Sequence, residues 1–343
     1  MPRSFKSILI YHLIMEVRNW SICILLFLVH YGAHAGVMHS HTNEINKERE
    51  TDGAYSPRDH SHFSDSGEHF SEFDHEAILG SHKEAEEYDH LSPEEAKRRL
   101  GILLKKMDLN ADQKIDRKEL KAWIIRSFKM LSEEEAKERM EDADEDNNGV
   151  VSWNEYLSDT YGVDEDSEDN LNFGDDNLHL IEDDKAMWKA ADTNGDGQLD
   201  SEEWVSFSHP EEHPNMLPVI LEQTLKEKDT DGDGSISFQE YIGDRGNDID
   251  KDALLGEKLK FDESLDKDKD GKLVGNEILS WIVPSNEEIA EEEVEHLFAH
   301  SDDDHDDILS FDEILEHHDT FVGSEATDYG DHLHNIHHFS DEL

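Results

Sequence analysis

The chain has 343 residues, of which 86 are acidic and 31 are basic, so its formal net charge is −55. A chain this acidic repels nucleic acid and anionic membrane surfaces, which attract basic patches, and the charge therefore excludes both as partners. Hydrophobic residues make up 35% of the chain, which suits several small helical modules better than one large core. So much acid is typical either of a disordered chain or of a protein that binds many cations.

A short apolar segment near the amino terminus predicts a secretory signal peptide. Residues 21–29 form an apolar run that follows Arg18 and precedes a small-residue cleavage site ending at Ala35. We therefore assign residues 1–35 to the signal peptide, with Met15 as an equally good start. The apolar run is too short to cross a bilayer comfortably, so we expect no stable membrane span; a retained signal anchor is the alternative.

The other end of the chain also indicates the secretory pathway. Its last four residues resemble a Lys-Asp-Glu-Leu retrieval signal with serine in the first place, and they are Ser340, Asp341, Glu342 and Leu343. This tail predicts residence in the lumen of the endoplasmic reticulum, a retrieval receptor as partner, and partial secretion because the first position differs. Cys23 lies within the signal peptide, so the processed chain is expected to fold without disulfides.

Residues 36–92 are acidic and rich in histidine, and we expect them to form a mostly disordered arm. The arm contains His39, His41, His60, His62, His69, His75, His82 and His90, and a second group near the end of the chain contains His317, His318, His332, His334, His337 and His338. Zinc binding and pH sensing are possible roles for such clusters, but their spacing lacks the fixed frame of a structural zinc site. We favour a solvated linker and expect the isolated 36–92 peptide to bind zinc no better than a histidine-depleted control.

A repeat occupies the middle of the chain. The pattern Asp-x-(Asp/Asn)-x-(Asp/Asn), with glutamate in the twelfth position, begins at Asp108, Asp144, Asp192, Asp229, Asp266 and Asp302. Four of the five intervals are 36 or 37 residues long, which indicates a repeated supersecondary unit. Helix-start signals at Ser92, Ser132 and Ser285 precede loops one, two and six. The sequence thus predicts an all-α protein of six EF-hand helix–loop–helix units.

The residue types in these loops suit Ca²⁺, a hard cation that takes six to eight oxygen ligands. Side chains at positions 1, 3, 5 and 12 and the backbone carbonyl at position 7 supply them. The predicted ligands are Asp108, Asn110, Asp112, Lys114 and Glu119 in loop one; Asp144, Asp146, Asn148, Val150 and Glu155 in loop two; Asp192, Asn194, Asp196, Gln198 and Glu203 in loop three; Asp229, Asp231, Asp233, Ser235 and Glu240 in loop four; Asp266, Asp268, Asp270, Lys272 and Glu277 in loop five; and Asp302, Asp304, Asp306, Ile308 and Glu313 in loop six.

Three loops depart from the ideal pattern. Position 6 favours glycine because the chain turns sharply there, yet loop one has Gln113 and loop six has Asp307. Position 9 of loop five is Val274, which cannot anchor a water molecule. Loops one, five and six are therefore the ones most at risk of keeping the fold without holding an ion.

An apolar residue at position 8 of every loop predicts that the hands work in pairs, joined by a short strand from each loop. We expect sequential pairing, with an acidic linker between the first two pairs. The predicted segments are hands one and two at 93–163, the linker at 164–178, hands three and four at 179–245, hands five and six at 246–320, and a tail at 321–343 that ends in the retrieval signal.

Several segments resemble the calumenin–reticulocalbin family of luminal six-EF-hand proteins. They are His75–Gly80, Val151–Tyr156, His209–Glu212, Gln239–Asp244, Trp281–Pro284 and Ser324–Gly330, and the similarity extends over about residues 73–343. The resemblance implies low-affinity calcium binding in the endoplasmic reticulum and protein partners in folding and secretion. It implies no enzymatic activity.

Two functions remain open from the sequence. The first is luminal calcium buffering combined with calcium-dependent binding of client or secretory proteins. The alternative is a secreted acidic protein associated with matrix or mineral. The retrieval-type tail disfavours this alternative. An enzyme is not expected, because the sequence has no phosphate-binding glycine loop, no His-Glu-x-x-His motif and no nucleophile elbow.

Overall fold

The computed structural model describes residues 49–322, apart from 51, 61, 64–66, 68, 89, 163–174 and 248. The predicted signal peptide and retrieval signal lie outside these residues. The elements are, in chain order, α1 (Glu72–Leu79), α2 (His82–Tyr88), α3 (Pro93–Met107), β1 (Lys114–Ile115), α4 (Arg117–Ala143), β2 (Val151–Ser152), α5 (Trp153–Tyr161), α6 (Asp175–Ala191), β3 (Gln198–Leu199), α7 (Ser201–Ser208), a 3₁₀ turn (Pro210–Glu212), α8 (Leu217–Lys228), β4 (Ile236–Ser237), α9 (Phe238–Ile242), a 3₁₀ segment (Gly243–Asn247), α10 (Lys251–Leu259), a π-helical turn (Lys260–Leu265), β5 (Lys272–Leu273), α11 (Asn276–Ile282), α12 (Asn286–Ser301), β6 (Leu309–Ser310), α13 (Phe311–Glu316) and α14 (His318–Val322).

Six helix–loop–helix units form the fold, as the repeat predicts. The serine caps at two of their starts are confirmed: the Ser92 hydroxyl accepts the Glu95 amide at the start of α3, and the Ser285 hydroxyl accepts the Glu288 amide at the start of α12. Among the helices described, none combines the length and apolar content that crossing a bilayer requires.

The helix-start prediction at Ser132 is wrong. Helix α4 runs without a break from Arg117 to Ala143, so the helix that leaves hand one is also the helix that enters hand two. Ser132 lies inside it, only 1% exposed, and its hydroxyl oxygen lies 3.1 Å from the Phe128 carbonyl oxygen one turn earlier. At 1.5 Å per residue, 27 helical residues hold loops one and two about 40 Å apart.

The partners within the three loop pairs differ from the expected ones. Strand β1 pairs with β6, β2 with β3, and β4 with β5, all antiparallel. Loop one therefore joins loop six, loop two joins loop three, and loop four joins loop five. The sequential pairing is wrong because α4 separates loops one and two, which leaves loop one to pair with the last hand of the chain.

Two apolar cores follow from this pairing. One lies between α1 to the first half of α4 and α12 to α14, and the other is formed by hands two to five together with Tyr55. The side chains at position 8 meet across each strand pair and are all 0% exposed; they are Ile115, Val151, Leu199, Ile236, Leu273 and Leu309. The prediction that these six residues pack between paired loops is confirmed.

Part of the predicted arm belongs to the first core. Helices α1 and α2 lie within residues 36–92, and Ala77 and Ile78 of α1 are 0% exposed. The expected extent of the disordered arm was thus too long. The reason is that Phe73, Ala77 and Ile78 give α1 an apolar face that the core of hands one and six buries. Residues 36–48 lie outside the described part of the chain.

Ionic contacts hold α2 against α4. The His82 ring lies 2.9 Å from Glu135 Oε1 through Nε2 and 2.5 Å from Glu76 Oε1 through Nδ1. Together these hydrogen bonds raise the pKa of His82 to about 10, and the bond to Glu135 contributes more than the bond to Glu76. The imidazole is therefore charged at neutral pH and bridges α1, α2 and α4.

Candidate metal centres

Each predicted loop has its backbone amides directed at its own acidic side chains. In loop two the amide of Asn148 donates to Asp144 Oδ1 at 3.1 Å, and that of Gly149 donates to Asp144 Oδ2 at 2.8 Å. The other five loops repeat this contact between positions 1, 5 and 6, with distances from 2.8 to 3.2 Å. The position 1 carboxylate therefore lies inside the turn, where an ion would meet it.

The backbone at position 7, whose carbonyl is a predicted ligand, is also held by a hydrogen bond within the loop. In every loop the amide of position 7 donates at 2.9 Å to the side-chain oxygen of position 5. The residues so placed are Lys114, Val150, Gln198, Ser235, Lys272 and Ile308. This contact fixes the backbone immediately before each predicted carbonyl ligand.

The glutamate at position 12 joins the two ends of its loop. In loop three, Glu203 Oε1 accepts from the amides of Thr193 and Asn194 at 2.9 and 3.0 Å, while Oε2 accepts from the amide of Asp200 at 3.2 Å. Glu203 is only 5% exposed. Because both carboxylate oxygens lie within the loop, the side chain is placed for the bidentate contact that calcium takes from this position.

The carboxylates converge closely enough to share an ion. Donor oxygens lie within 4.8 Å of one another in Asp144, Asp146 and Glu155; in Asp229, Asp231 and Glu240; in Asp266, Asp268 and Glu277; and in Asp302, Asp304 and Asp306. Loops one and three have asparagine at position 3, so an amide oxygen stands in for one carboxylate there. The donors are all oxygen, which fits Ca²⁺ and disfavours softer metals.

Electrostatics in loop four show how strongly these acids are held as anions. Burial alone would raise the pKa of Glu240, but hydrogen bonds from Ser237 and Thr230 outweigh it and lower the pKa to about 2. Glu240 is therefore fully ionised at neutral pH and available to a cation.

Backbone strain distinguishes the loop pair one–six from the other two loop pairs. Positions 4 and 6 have positive φ in every loop, the conformation that glycine tolerates best. Loops three and four have glycine at both positions, whereas loop one has Ala111 (φ 61°) and Gln113 (φ 64°), and loop six has His305 (φ 57°) and Asp307 (φ 63°). The two loops without glycine are thus partners; among the described residues the only other non-glycine residues with positive φ are Asn147 of loop two and Lys269 of loop five.

We expect Gln113→Gly to stabilise the calcium-loaded chain by about 0.5–1 kcal/mol, because it removes a left-handed strain of about 1–2 kcal/mol at the smaller entropic cost of glycine. Gln113 is exposed, so no packing is lost. Urea unfolding in excess calcium measures the change. Gln198→Gly, at an extended position of loop three, is the control and should destabilise; equal losses in both variants would rule out strain at position 113.

Loop five, which has Val274 at position 9, lacks the helix cap that the other loops have. In the other five loops the position 9 side chain caps the following helix, whereas α11 has Gly275 as its cap residue and receives no side-chain hydrogen bond. Val274 is 41% exposed and contributes only backbone groups: its amide donates to the Glu277 carboxylate at 3.0 Å, and its carbonyl accepts the Glu277 amide at 3.0 Å.

Two lysines contact ligand carboxylates of the partner loop, a feature that the sequence analysis missed. Lys272 of loop five forms an ion pair with Asp233 of loop four, and Lys114 Nζ of loop one lies 3.3 Å from Asp306 Oδ2 of loop six. The hydrogen bond from Lys272 lowers the pKa of Asp233. Only the correct loop pairing reveals these contacts, since position 7 of one loop lies beside position 5 of its partner.

We expect Lys272→Gln to raise the calcium affinity of loops four and five about two- to fivefold, because the ammonium competes with the ion for Asp233. Calcium calorimetry measures the effect. Lys267→Gln removes the same charge from an exposed position of loop five that has no ion pair with a ligand among the described contacts, and it is the matched control. Equal gains in both variants would mean that net charge alone is responsible.

Comparison with known proteins identifies the same helix–loop–helix units. Residues 97–161 and 181–243 match the EF-hand domain pair. Reticulocalbin-2 of Crotalus adamanteus is 41% identical over 287 residues, which cover 81% of this chain and 93% of that protein. Reticulocalbin-2 of Mus musculus is 40% identical and that of Rattus norvegicus 38%, each over 81% of this chain and 89% of the relative. The resemblance inferred from the sequence is confirmed: this chain belongs to the calumenin–reticulocalbin family of calcium-binding EF-hand proteins.

Proposed function

We propose that this chain is a low-affinity, multi-site calcium-binding protein of the endoplasmic reticulum lumen that buffers calcium and binds client proteins when loaded. The observation that carries the proposal is the shared geometry of the six loops, each with an acidic first position that accepts two loop amides. In this proposal every loop binds one ion through positions 1, 3, 5, 7 and 12. The role is binding and not catalysis.

Weak sites suit such a compartment. Extracellular-type EF-hand modules bind calcium with Kd values of about 10⁻⁴–10⁻³ M, and a compartment rich in calcium fills them in part. Partly filled sites respond to a change in calcium concentration, which is what a buffer requires. The strain in loops one and six and the missing cap in loop five favour low affinity at half of the sites.

The charge of the chain couples calcium binding to folding. At a net charge of −55 the metal-free chain repels itself, and six ions add twelve positive charges within its loops. Ordering of the loops then accompanies loading, because the ion is held only by the folded loop. A surface formed in this way binds clients when calcium is high and releases them when it falls. The retrieval-type tail at residues 340–343 supports receptor-mediated return to the endoplasmic reticulum, with partial secretion.

Calorimetry of calcium into the purified chain without its predicted signal peptide tests the proposal, with circular dichroism recorded at both ends of the titration. We expect about six ions with affinities in the range of 10⁻⁴–10⁻³ M and a gain in helix. Absence of binding, or binding without a structural change, would contradict calcium-coupled folding. Deleting the last four residues and following secretion from cells separates a luminal role, which predicts increased secretion, from a matrix role, which predicts no change.

A further inference from the structure

Three histidines and an aspartate converge outside the EF-hand loops. His62 and His69 come from the segment that precedes α1, here called the amino-terminal segment. Asp74 comes from α1, and His296 comes from α12, the helix that enters loop six. One ligand atom of each lies within 4.8 Å of all the others. His62 Nε2 is 2.8 Å from Asp74 Oδ1, His69 Nε2 is 3.1 Å from Asp74 Oδ2, and His296 Nε2 is 3.6 Å from the same oxygen.

The aspartate at the centre of this cluster is fully buried against the three imidazoles. Asp74 is 0% exposed, and among the described residues neither of its oxygens has a partner with hydrogen-bond geometry, although imidazole nitrogens lie close by. The same holds for His296 Nε2. Glu293, one turn before His296, is 1% exposed, and its carboxyl oxygens also lack described partners. A buried carboxylate costs several kcal/mol unless a cation, either an imidazolium or a metal ion, compensates it.

The arrangement of the nitrogens also indicates a cation between them. The Nε2 atoms of His62 and His69 lie 3.0 Å apart, and the three ring centroids are separated by 4.7–5.3 Å. Only one of these two nitrogens can be the donor in a hydrogen bond between them, and the other then presents its lone pair; with no donor, both present lone pairs to the centre. A metal ion at the centre would accept all of these lone pairs together.

We propose that His62, His69, Asp74 and His296 form a Zn²⁺ site. Zinc takes four ligands in a tetrahedron, with imidazole nitrogens at about 2.0–2.1 Å and carboxylate oxygens at about 2.0–2.2 Å, and three histidines with one carboxylate satisfy this preference. Calcium is disfavoured here, because it prefers oxygen ligands. Four protein ligands leave no open position, so the site has a structural role.

Zinc at this site joins the amino-terminal segment to hand six. Two ligands precede α1, one lies within it, and the fourth comes from α12. Bound zinc therefore fastens α1 onto the core that hands one and six share. Since His296 lies outside residues 36–92, a peptide of those residues lacks one ligand, and weak zinc binding by that peptide does not test the site in the whole chain.

The test uses the full processed chain in saturating calcium, so that the EF-hand carboxylates are already occupied. Zinc is titrated by calorimetry and by competition with a chromophoric chelator, and Co²⁺ is the spectroscopic probe, because tetrahedral cobalt has strong visible absorption. We expect one zinc per chain, and we expect His62→Gln, His296→Gln and Asp74→Asn each to weaken zinc binding at least about tenfold. Zinc should raise the Tm of the unmodified chain and leave that of Asp74→Asn unchanged.

His60→Gln is the matched control, since His60 is an exposed histidine of the same segment that is not among the converging ligands. It should keep full zinc affinity. Circular dichroism and calcium calorimetry establish that each variant is folded; should Asp74→Asn fail to fold, His62→Gln and His296→Gln decide the question. Equal zinc binding in the His296→Gln and His60→Gln variants, or a cobalt spectrum without tetrahedral bands, would overturn the proposal and leave the cluster as a metal-free histidine–carboxylate contact.

Discussion

Replacing Glu313 with glutamine is expected to weaken calcium binding in loop one as well as in loop six, and to leave loop five near its original affinity. Glu313 is the predicted bidentate ligand of loop six, and its Oε2 accepts the Ser310 amide at 2.8 Å. Ser310 lies opposite Lys114 in the β1–β6 pair, so disorder in loop six reaches loop one directly. Coupling between sites of about 1–3 kcal/mol corresponds to a loss of at least about fivefold at loop one.

Amide NMR signals at position 8 report each loop separately during a calcium titration, with Ile115 for loop one and Leu273 for loop five. Glu277→Gln is the matched control: it should weaken loop four, its partner through β4 and β5, and spare loop six. If Glu313→Gln instead disturbed loop five and left loop one intact, sequential pairing would hold in solution and the β1–β6 contact would be wrong.

The local structure of each hand was predictable because it depends on residues within twelve positions of one another. Loop starts, the glutamate at position 12 and the apolar position 8 follow from this short-range pattern, and the structure places Ile115 and Leu309 as expected. The pairing depends instead on whether a helix breaks between hands. Residues 117–143 contain no glycine or proline, and this absence was the available signal that α4 would continue through Ser132.

Contacts between residues that are distant in the sequence could not be predicted from the loop repeat or from composition. Acidic and histidine-rich composition predicted disorder around Asp74, and nothing in residues 36–92 indicated that His296 would lie beside it. Similarly, the sequence pattern predicts Lys272 only as a backbone carbonyl ligand of its own loop. Its side-chain contact with Asp233 exists because loops four and five are partners. Composition describes the average behaviour of a segment, whereas a few buried residues decide whether it packs.

Truncating Glu212 is expected to cause the largest loss of stability among the substitutions considered. Glu212 lies in a cleft of about 710 Å³ between the amino-terminal segment, α4 and the start of α12. Its Oε1 accepts from Arg58 Nη2 at 2.8 Å and from Asn286 Nδ2 at 2.9 Å, and its Oε2 accepts from the Ser132 hydroxyl at 2.6 Å. Four separate segments thus meet at one carboxylate.

Glu212→Ala leaves the Arg58 guanidinium, 16% exposed, with the neutral Ser132 hydroxyl and a distant carboxylate of Glu135 at 3.9 Å. Removing one partner of a buried ion pair costs about 3–5 kcal/mol, and we expect a loss of this size in urea unfolding at pH 7 with calcium present. Glu138→Ala is the control, because the Lys83–Glu138 pair is exposed and should change stability by less than about 1 kcal/mol.

The pH dependence identifies the charge as the cause. Burial alone would raise the pKa of Glu212, but the charge of Arg58 and hydrogen bonds from Ser132, Arg58 and Asn286 outweigh it, so the folded pKa lies below the ordinary value. A carboxylate with a lowered pKa stabilises the fold above its unfolded pKa and loses that contribution as the pH falls through the folded one. The difference between Glu212→Ala and the unmodified chain should therefore shrink in acid. A loss no larger than that of Glu138→Ala, or one independent of pH, would show that the cleft does not depend on this ion pair.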